Sequence, residues 1–192
     1  MGKSLTEKKK ARSMDKVLSD AQHYFEKNGY ENTSIEKLCD AAMISRSTFF
    51  NYFGSKEVII KMVIEGGIQE FRDFAAEEMK KNDDPIECMW RCLDFQINAT
   101  EKYKNISTVF YQLVLKYDDF KVIQRDFNNA LGEVVFSSLK NAGYELTISE
   151  NELSELVSGG YIETFMINDI SELKPRMHEY IGRLIKLIAV KK

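Results

Sequence analysis

Arg46, Ser47, Asn51 and Tyr52 are the residues of this 192-residue chain whose types and spacing suit recognition chemistry. An arginine guanidinium can donate two hydrogen bonds to guanine O6 and N7. Hydroxyls and amides reach phosphate oxygens, contacts that position a protein on a duplex without reading its sequence. Phe49 and Phe53, four apart, take the inner side of the short helix that carries them, which leaves these four polar residues on its outer side. No comparable grouping offers enzymatic chemistry: there is no phosphate-binding glycine loop, no G-x-S-x-G and no H-E-x-x-H. His178-Glu179 is half of the last pattern, and the other histidine, His23, reads as part of a polar helix face. Cys88 and Cys92, four apart with no histidine nearby, read as two small buried thiols rather than a metal or redox pair. No cofactor is expected.

The elements that must hold those residues are short. Thr33 with Glu36 forms a capping box, and Ile35, Leu38, Cys39 and Ala42 give the following helix one apolar face. The chain turns at Met43-Ile44, and Ser45 is the N-cap of the next helix. Two short helices joined by a tight turn, with polar residues outward on the second, describe a helix-turn-helix, whose second helix enters the DNA major groove. A hairpin buried in a core would not need Arg46, Ser47, Asn51 and Tyr52 all facing outward. A supporting helix runs from about Met14 to Asn28 on Met14, Val17, Leu18, Ala21 and Phe25, and Gly29 ends it. Before it, Lys3, Lys8, Lys9, Lys10 and Arg12 form a basic lead, either a solvated tail or an arm that touches phosphate or the minor groove. The net charge of −3 hides this arrangement: residues 1–60 hold ten Lys/Arg against eight Asp/Glu, the remainder seventeen against twenty-two.

The rest reads as helix. Two prolines, ten glycines and long apolar periodicities point to an all-α protein of about nine helices. A fourth helix starts at Ser55 with Val58, Ile59, Met62 and Val63 inward and contains Gly66-Gly67, a site of kinking, close packing or hinge motion. Asn82-Asp83-Asp84-Pro85 breaks the chain, and Asp84, Pro85 and Glu87 open a helix that ends near Lys102. Further helices span about Asn105 to Lys116 and Asp119 to Gly143. Ser149 with Glu152 caps an eighth helix, apolar on two sides, in which Gly159-Gly160 admits a neighbour; a ninth runs from Pro175. No apolar run reaches membrane-spanning length, and three cysteines, odd in number, fit a reducing cytoplasm. Met1-Gly2 with Thr6 matches a myristoylation pattern of the kind that arises by chance.

Over roughly 45 residues the chain resembles the tetracycline-repressor (TetR) family: Ala42, Ser45, Thr48, Phe53 and Ser55-Lys56-Glu57 fall where that family places the same residue types. It departs at Met43, where the family has glycine, and at Phe50, where it has tyrosine. The resemblance implies a DNA-binding domain over residues 1–54 and a ligand-binding and dimerisation domain over 55–192. Arg46, Ser47, Phe50 and Asn51 are then expected at base edges, and Ser34, Thr48, Tyr52 and Lys56 at phosphates. It also implies an apolar ligand cavity, for which Trp90, Phe110, Tyr111, Phe127 and Phe165 are the candidates. The last two helices would pair with a second copy through Leu153, Val157, Tyr161, Tyr180, Ile181, Leu184 and Ile188. The function so implied is a cytoplasmic homodimeric regulator, a repressor that leaves a palindromic operator when a small apolar effector binds. An architectural or protein-controlled DNA-binding factor without a ligand is the alternative, and a helical enzyme or carrier with a borrowed head a third.

Overall fold

A computed structural model describes residues 4–81 and 84–191; Asn82-Asp83 of the expected break, Met1-Gly2 of the short pattern and Lys3 of the basic lead lie outside them. Among the described residues there are nine α-helices and one two-stranded ribbon. No described helix is long and apolar enough to cross a membrane.

Helix α1 (Leu5–Asn28) begins nine residues earlier than its apolar stripe suggests. Ser4 and Glu7 form a reciprocal capping box, so the basic lead from Lys8 to Arg12 is helical instead of a tail. That S-x-x-E signature stands in the sequence, but apolar periodicity starts only at Met14. Helix α2 (Ile35–Ala42) is capped by Ser34, whose Oγ accepts from the Lys37 N–H, and not by Thr33. Thr33 is buried, and its hydroxyl hydrogen-bonds the carbonyls of Tyr24 and Gly29 at the end of α1. Helix α3 (Arg46–Phe53) follows Ser45 as expected, and Phe49 and Phe53 are buried. Met43, between α2 and α3, adopts φ 55 and ψ 45, the left-handed conformation, so the turn keeps the geometry of a glycine turn without the glycine. Helix α4 (Lys56–Met79) is unbroken through Gly66 and Gly67, and a Cβ at either would meet nothing within 4 Å. Close packing therefore does not explain that pair. Its buried residues are Ile59, Ile60, Ile64, Ile68, Phe71, Ala75 and Glu78, while Val58 is exposed.

Helices α5 (Pro85–Lys102), α6 (Lys104–Lys116), α7 (Asp118–Asn141), α8 (Glu150–Ile167) and α9 (Leu173–Ile188) complete the fold. Asp84 Oδ1 accepts from the Ile86 and Glu87 N–H groups to cap α5, and the Ser149–Glu152 box caps α8. Between α8 and α9 lies a single 3₁₀ turn (Ile170–Glu172). A ribbon foreign to the all-helical reading joins β1 (Tyr144–Leu146) to β2 (Ala189–Lys191), antiparallel with Glu145 opposite Val190. Three-residue strands are too short for alternation to register.

By packing the chain forms two units. The first holds the described residues up to Gly67 together with Tyr103–Lys116, and the second holds the rest. The first unit thus takes in α6, which the division at residue 54 assigns to the other domain. Glu26 of α1 supplies the reason: its carboxylate accepts from the N–H groups of Asn105 (3.0 Å) and Ile106 (3.2 Å), and its carbonyl accepts from the Asn105 side chain (2.7 Å). A carboxylate at a helix N-terminus satisfies donors that have no partner within the helix.

In the second unit α7 and α8 lie so close at Gly132 that a Cβ there would fall 1.9 Å from Ser154 Oγ. At Gly160 of α8 a Cβ would fall 2.2 Å from the Tyr180 ring of α9, whose hydroxyl donates to the Leu156 carbonyl (2.8 Å). Arg72 grips Asp126 with two 2.7 Å hydrogen bonds and so ties the later part of α4 to α7.

Candidate DNA-reading surface

Ser45 organises the start of α3. Its Oγ accepts from the Thr48 N–H (3.1 Å) and lies 2.8 Å from Thr48 Oγ1 and 2.9 Å from Ser47 Oγ. A capping hydroxyl of this kind leaves Arg46 as the first helical residue, where a major-groove helix comes nearest base edges. Ser47 and Asn51 are exposed, Phe50 is 42% exposed, and Thr48 and Tyr52 are half-buried. The Phe49 ring packs edge-on against Phe50 and so props it outward (centroids 5.6 Å).

Arg46 is exposed but not idle. Its Nη1 donates to Glu36 on α2, and its guanidinium lies 5.9 Å from the Phe50 ring centroid. A hydrogen bond from its own backbone N–H and the facing Arg46 charge hold the Glu36 carboxyl below the usual carboxylate range. Lys10, in the first half of α1, places its ammonium 5.2 Å from the Tyr52 ring centroid. This puts one residue of the basic lead beside the C-terminal end of α3.

Lys56 differs most from expectation. It is half-buried, its ammonium donates to the carbonyls of Tyr30 (2.8 Å) and Thr33 (3.3 Å), and it lies 4.1 Å from the Tyr30 ring centroid. The charge therefore ties the loop between α1 and α2 to the start of α4. Ser34, Glu36, Phe50, Ser55, Lys56 and Glu57 are among the residues lining an open groove of about 360 Å³ on this unit.

The other sequence-derived sites fare unevenly. Of the expected cavity residues, Phe110 and Tyr111 belong to the first unit and Trp90, Phe127 and Phe165 to the second. Trp90 stacks on His178 (4.5 Å between centroids), and Phe127 meets Tyr161 edge-on (5.8 Å). His178 in turn contacts Asp94 Oδ1 at 2.6 Å, and Lys174 donates to the other oxygen at 2.8 Å. Of the expected interface residues, Leu153, Val157, Tyr161, Ile181, Leu184 and Ile188 are buried within the subunit, and Tyr180 is half-buried over Gly160. Side chains already packed inside one chain cannot form the contact face for another. The apolar residues that α8 and α9 leave outward are Leu156, Met166, Ile167 and Leu187. Cys39, Cys88 and Cys92 are buried free thiols, and burial pushes Cys92 up to about 11.

Residues 17–63, from the middle of α1 into the first turns of α4, match the profile of the bacterial regulatory proteins, tetR family. The chain carries the TetR-family DNA-binding segment over those residues. It is 31% identical over 88 residues to the HTH-type transcriptional regulator TcmR of Streptomyces glaucescens, a match covering 46% of this chain and 38% of TcmR. It is 26% identical over 141 residues to DhaS of Lactococcus lactis, the HTH-type transcriptional activator of the dhaKLM operon, covering 71% of this chain and 68% of DhaS. Among solved structures, the Thermus thermophilus TetR-family repressor FadR in complex with lauroyl-CoA superposes with a TM-score of 0.71 at 16% identity, over 93% of this chain and 96% of that one. The reduced form of E. coli NemR gives 0.69 at 12% identity, over 94% and 100%. Identities this low carry the fold alone. The chain accordingly carries a helix-turn-helix head with a helical second part, and its match spans well under half the length of TcmR.

Proposed function

We propose that this TetR-family regulator acts in the cytoplasm as a homodimeric repressor. It holds a palindromic operator and lets go when a small, largely apolar molecule binds among its helices. The observation that carries the DNA-reading part is the outward array of Arg46, Ser47, Phe50 and Asn51 on a helix whose first turn is fixed by Ser45. Ser34, Thr48 and Tyr52 take phosphates, while Lys56 serves the scaffold through its two carbonyl partners. Two heads read two half-sites about 34 Å apart, or a multiple of that. A ligand that favours a different head separation shifts the dimer away from DNA. The effector reading draws on the FadR–lauroyl-CoA complex, and activation is the second reading, drawn from DhaS.

The test is selection on randomised half-sites with wild type and Arg46→Ala. A guanine-reading arginine is worth roughly 1–3 kcal/mol of discrimination. The variant is expected to lose about that much operator affinity and to relax preference at one base pair per half-site, while nonspecific binding changes less. Uniform loss on all sequences with an unchanged preference profile would assign Arg46 to a phosphate.

A further inference from the structure

Arg46 occupies the first position of α3, where a cation faces the positive end of the helix dipole and gains nothing from it. Two groups hold it there. Glu36, in the first turn of α2, receives its Nη1–H, and Phe50, one turn along α3, lies beneath its guanidinium. The carboxylate is well placed to stay ionised, since acidic groups are stabilised in the first turn of a helix. Both partners are largely exposed, 61% for Arg46 and 53% for Glu36, so neither is part of the core. The pair crosses the turn between the two helices and lies on the face that carries Ser47, Phe50 and Asn51.

We infer that Glu36 is a specificity-determining positioning residue: it aims Arg46 at base edges and cancels its attraction for the phosphate backbone. The inference rests on the reading of α3 as the DNA-reading helix. Its logic is electrostatic. A free guanidinium binds any phosphate, and each such contact adds sequence-independent affinity. A guanidinium paired with a carboxylate presents little net charge, and a phosphate brought up to it also meets Glu36. A guanine edge is neutral, offers two acceptors, and suffers no such repulsion. One Nη1–H is engaged by Glu36, which leaves the remaining guanidinium N–H groups as donors for the guanine edge. The pair therefore lowers nonspecific affinity and favours base reading over backbone contact.

The experiment uses the full chain in four forms: wild type, Glu36→Gln, Arg46→Ala and the double variant. Each is put through half-site selection and a salt titration on nonspecific duplex. Glutamine keeps the shape of the side chain and an acceptor oxygen but not the charge. In Glu36→Gln the slope of log K against log salt should steepen by about 0.9, the value of one added phosphate contact. Preference at the Arg46-dependent base pair, about 5- to 150-fold in wild type, should fall. In the Arg46→Ala background the same change should do neither. A Glu36→Gln variant with wild-type slope and preference overturns the inference. So does an effect that persists without Arg46, because Glu36 would then act on DNA directly. If wild type itself shows no preferred sequence, the DNA-reading assignment of α3 fails and the inference falls with it. Thermal unfolding of all four forms separates these outcomes from lost folding, which would move melting temperature without changing base preference.

Discussion

Met43 holds a left-handed conformation with its side chain 84% exposed, so almost no burial offsets the backbone cost. Left-handed geometry costs a residue with a Cβ roughly 1–2 kcal/mol, part of which a glycine returns through its freer unfolded state. Met43→Gly should therefore raise the unfolding free energy by about 1 kcal/mol, seen as a higher urea midpoint with an unchanged slope. An unmoved midpoint would mean that the turn carries no such cost. The departure from glycine was visible in the sequence, but its resolution was not, because composition cannot tell whether a turn changes shape or a residue accepts strain. Lys56 teaches the complementary point. Its place in Ser55-Lys56-Glu57 marks it by type, whereas its two carbonyl partners, Tyr30 and Thr33, lie 26 and 23 residues back along the chain. Long-range pairing of this kind leaves no local signature.

Helices opened by a lone capping serine were the most legible elements, because a cap and its apolar stripe fall within one turn of each other. Ser45 before α3 and Ser149 before α8 are both caps in the structure. Where two hydroxyls compete, spacing alone misleads: Thr33 and Ser34 are adjacent, and the one that caps α2 is the one left exposed by the burial of the other. The glycine pair in α8 shows a similar limit. Gly159 and Gly160 look alike in sequence, yet a Cβ at the first meets open space and at the second a tyrosine ring. Gly160→Ala should destabilise by roughly 1–3 kcal/mol, since the ring is pinned by its bond to the Leu156 carbonyl and cannot swing away freely. Gly159→Ala should be neutral or stabilising by up to about 1 kcal/mol through helix propensity. Calorimetric melting of the two variants side by side checks both signs, and equal shifts would contradict the close contact.

For the whole molecule, the distinction between core and free face decides which residues the proposed dimer can use. Leu184 is 7% exposed and Leu187, one turn on, is 80% exposed. Leu184→Glu buries an uncompensated charge and should unfold the chain. Leu187→Glu should leave the subunit folded, and in sedimentation it should appear as a monomer that has lost tight binding to a palindrome. A Leu187→Glu variant that stays dimeric would place the interface elsewhere. Helical periodicity revealed the buried stripe of α9 clearly, but a stripe marks only that something covers it, not whether the cover is the same chain. The grip of Glu26 on the start of α6 has a consequence for protein engineering. The first unit is not a contiguous stretch: the chain leaves it at Gly67, returns at Tyr103 and leaves again after Lys116. A head transplanted by a single splice in α4 would arrive with the Glu26 carboxylate facing a foreign helix start, and without the Ile106 and Phe110 side chains buried in this one. Under the proposed function, exchange of operator specificity with a relative therefore calls for two grafts, the second of them fourteen residues from the middle of the chain.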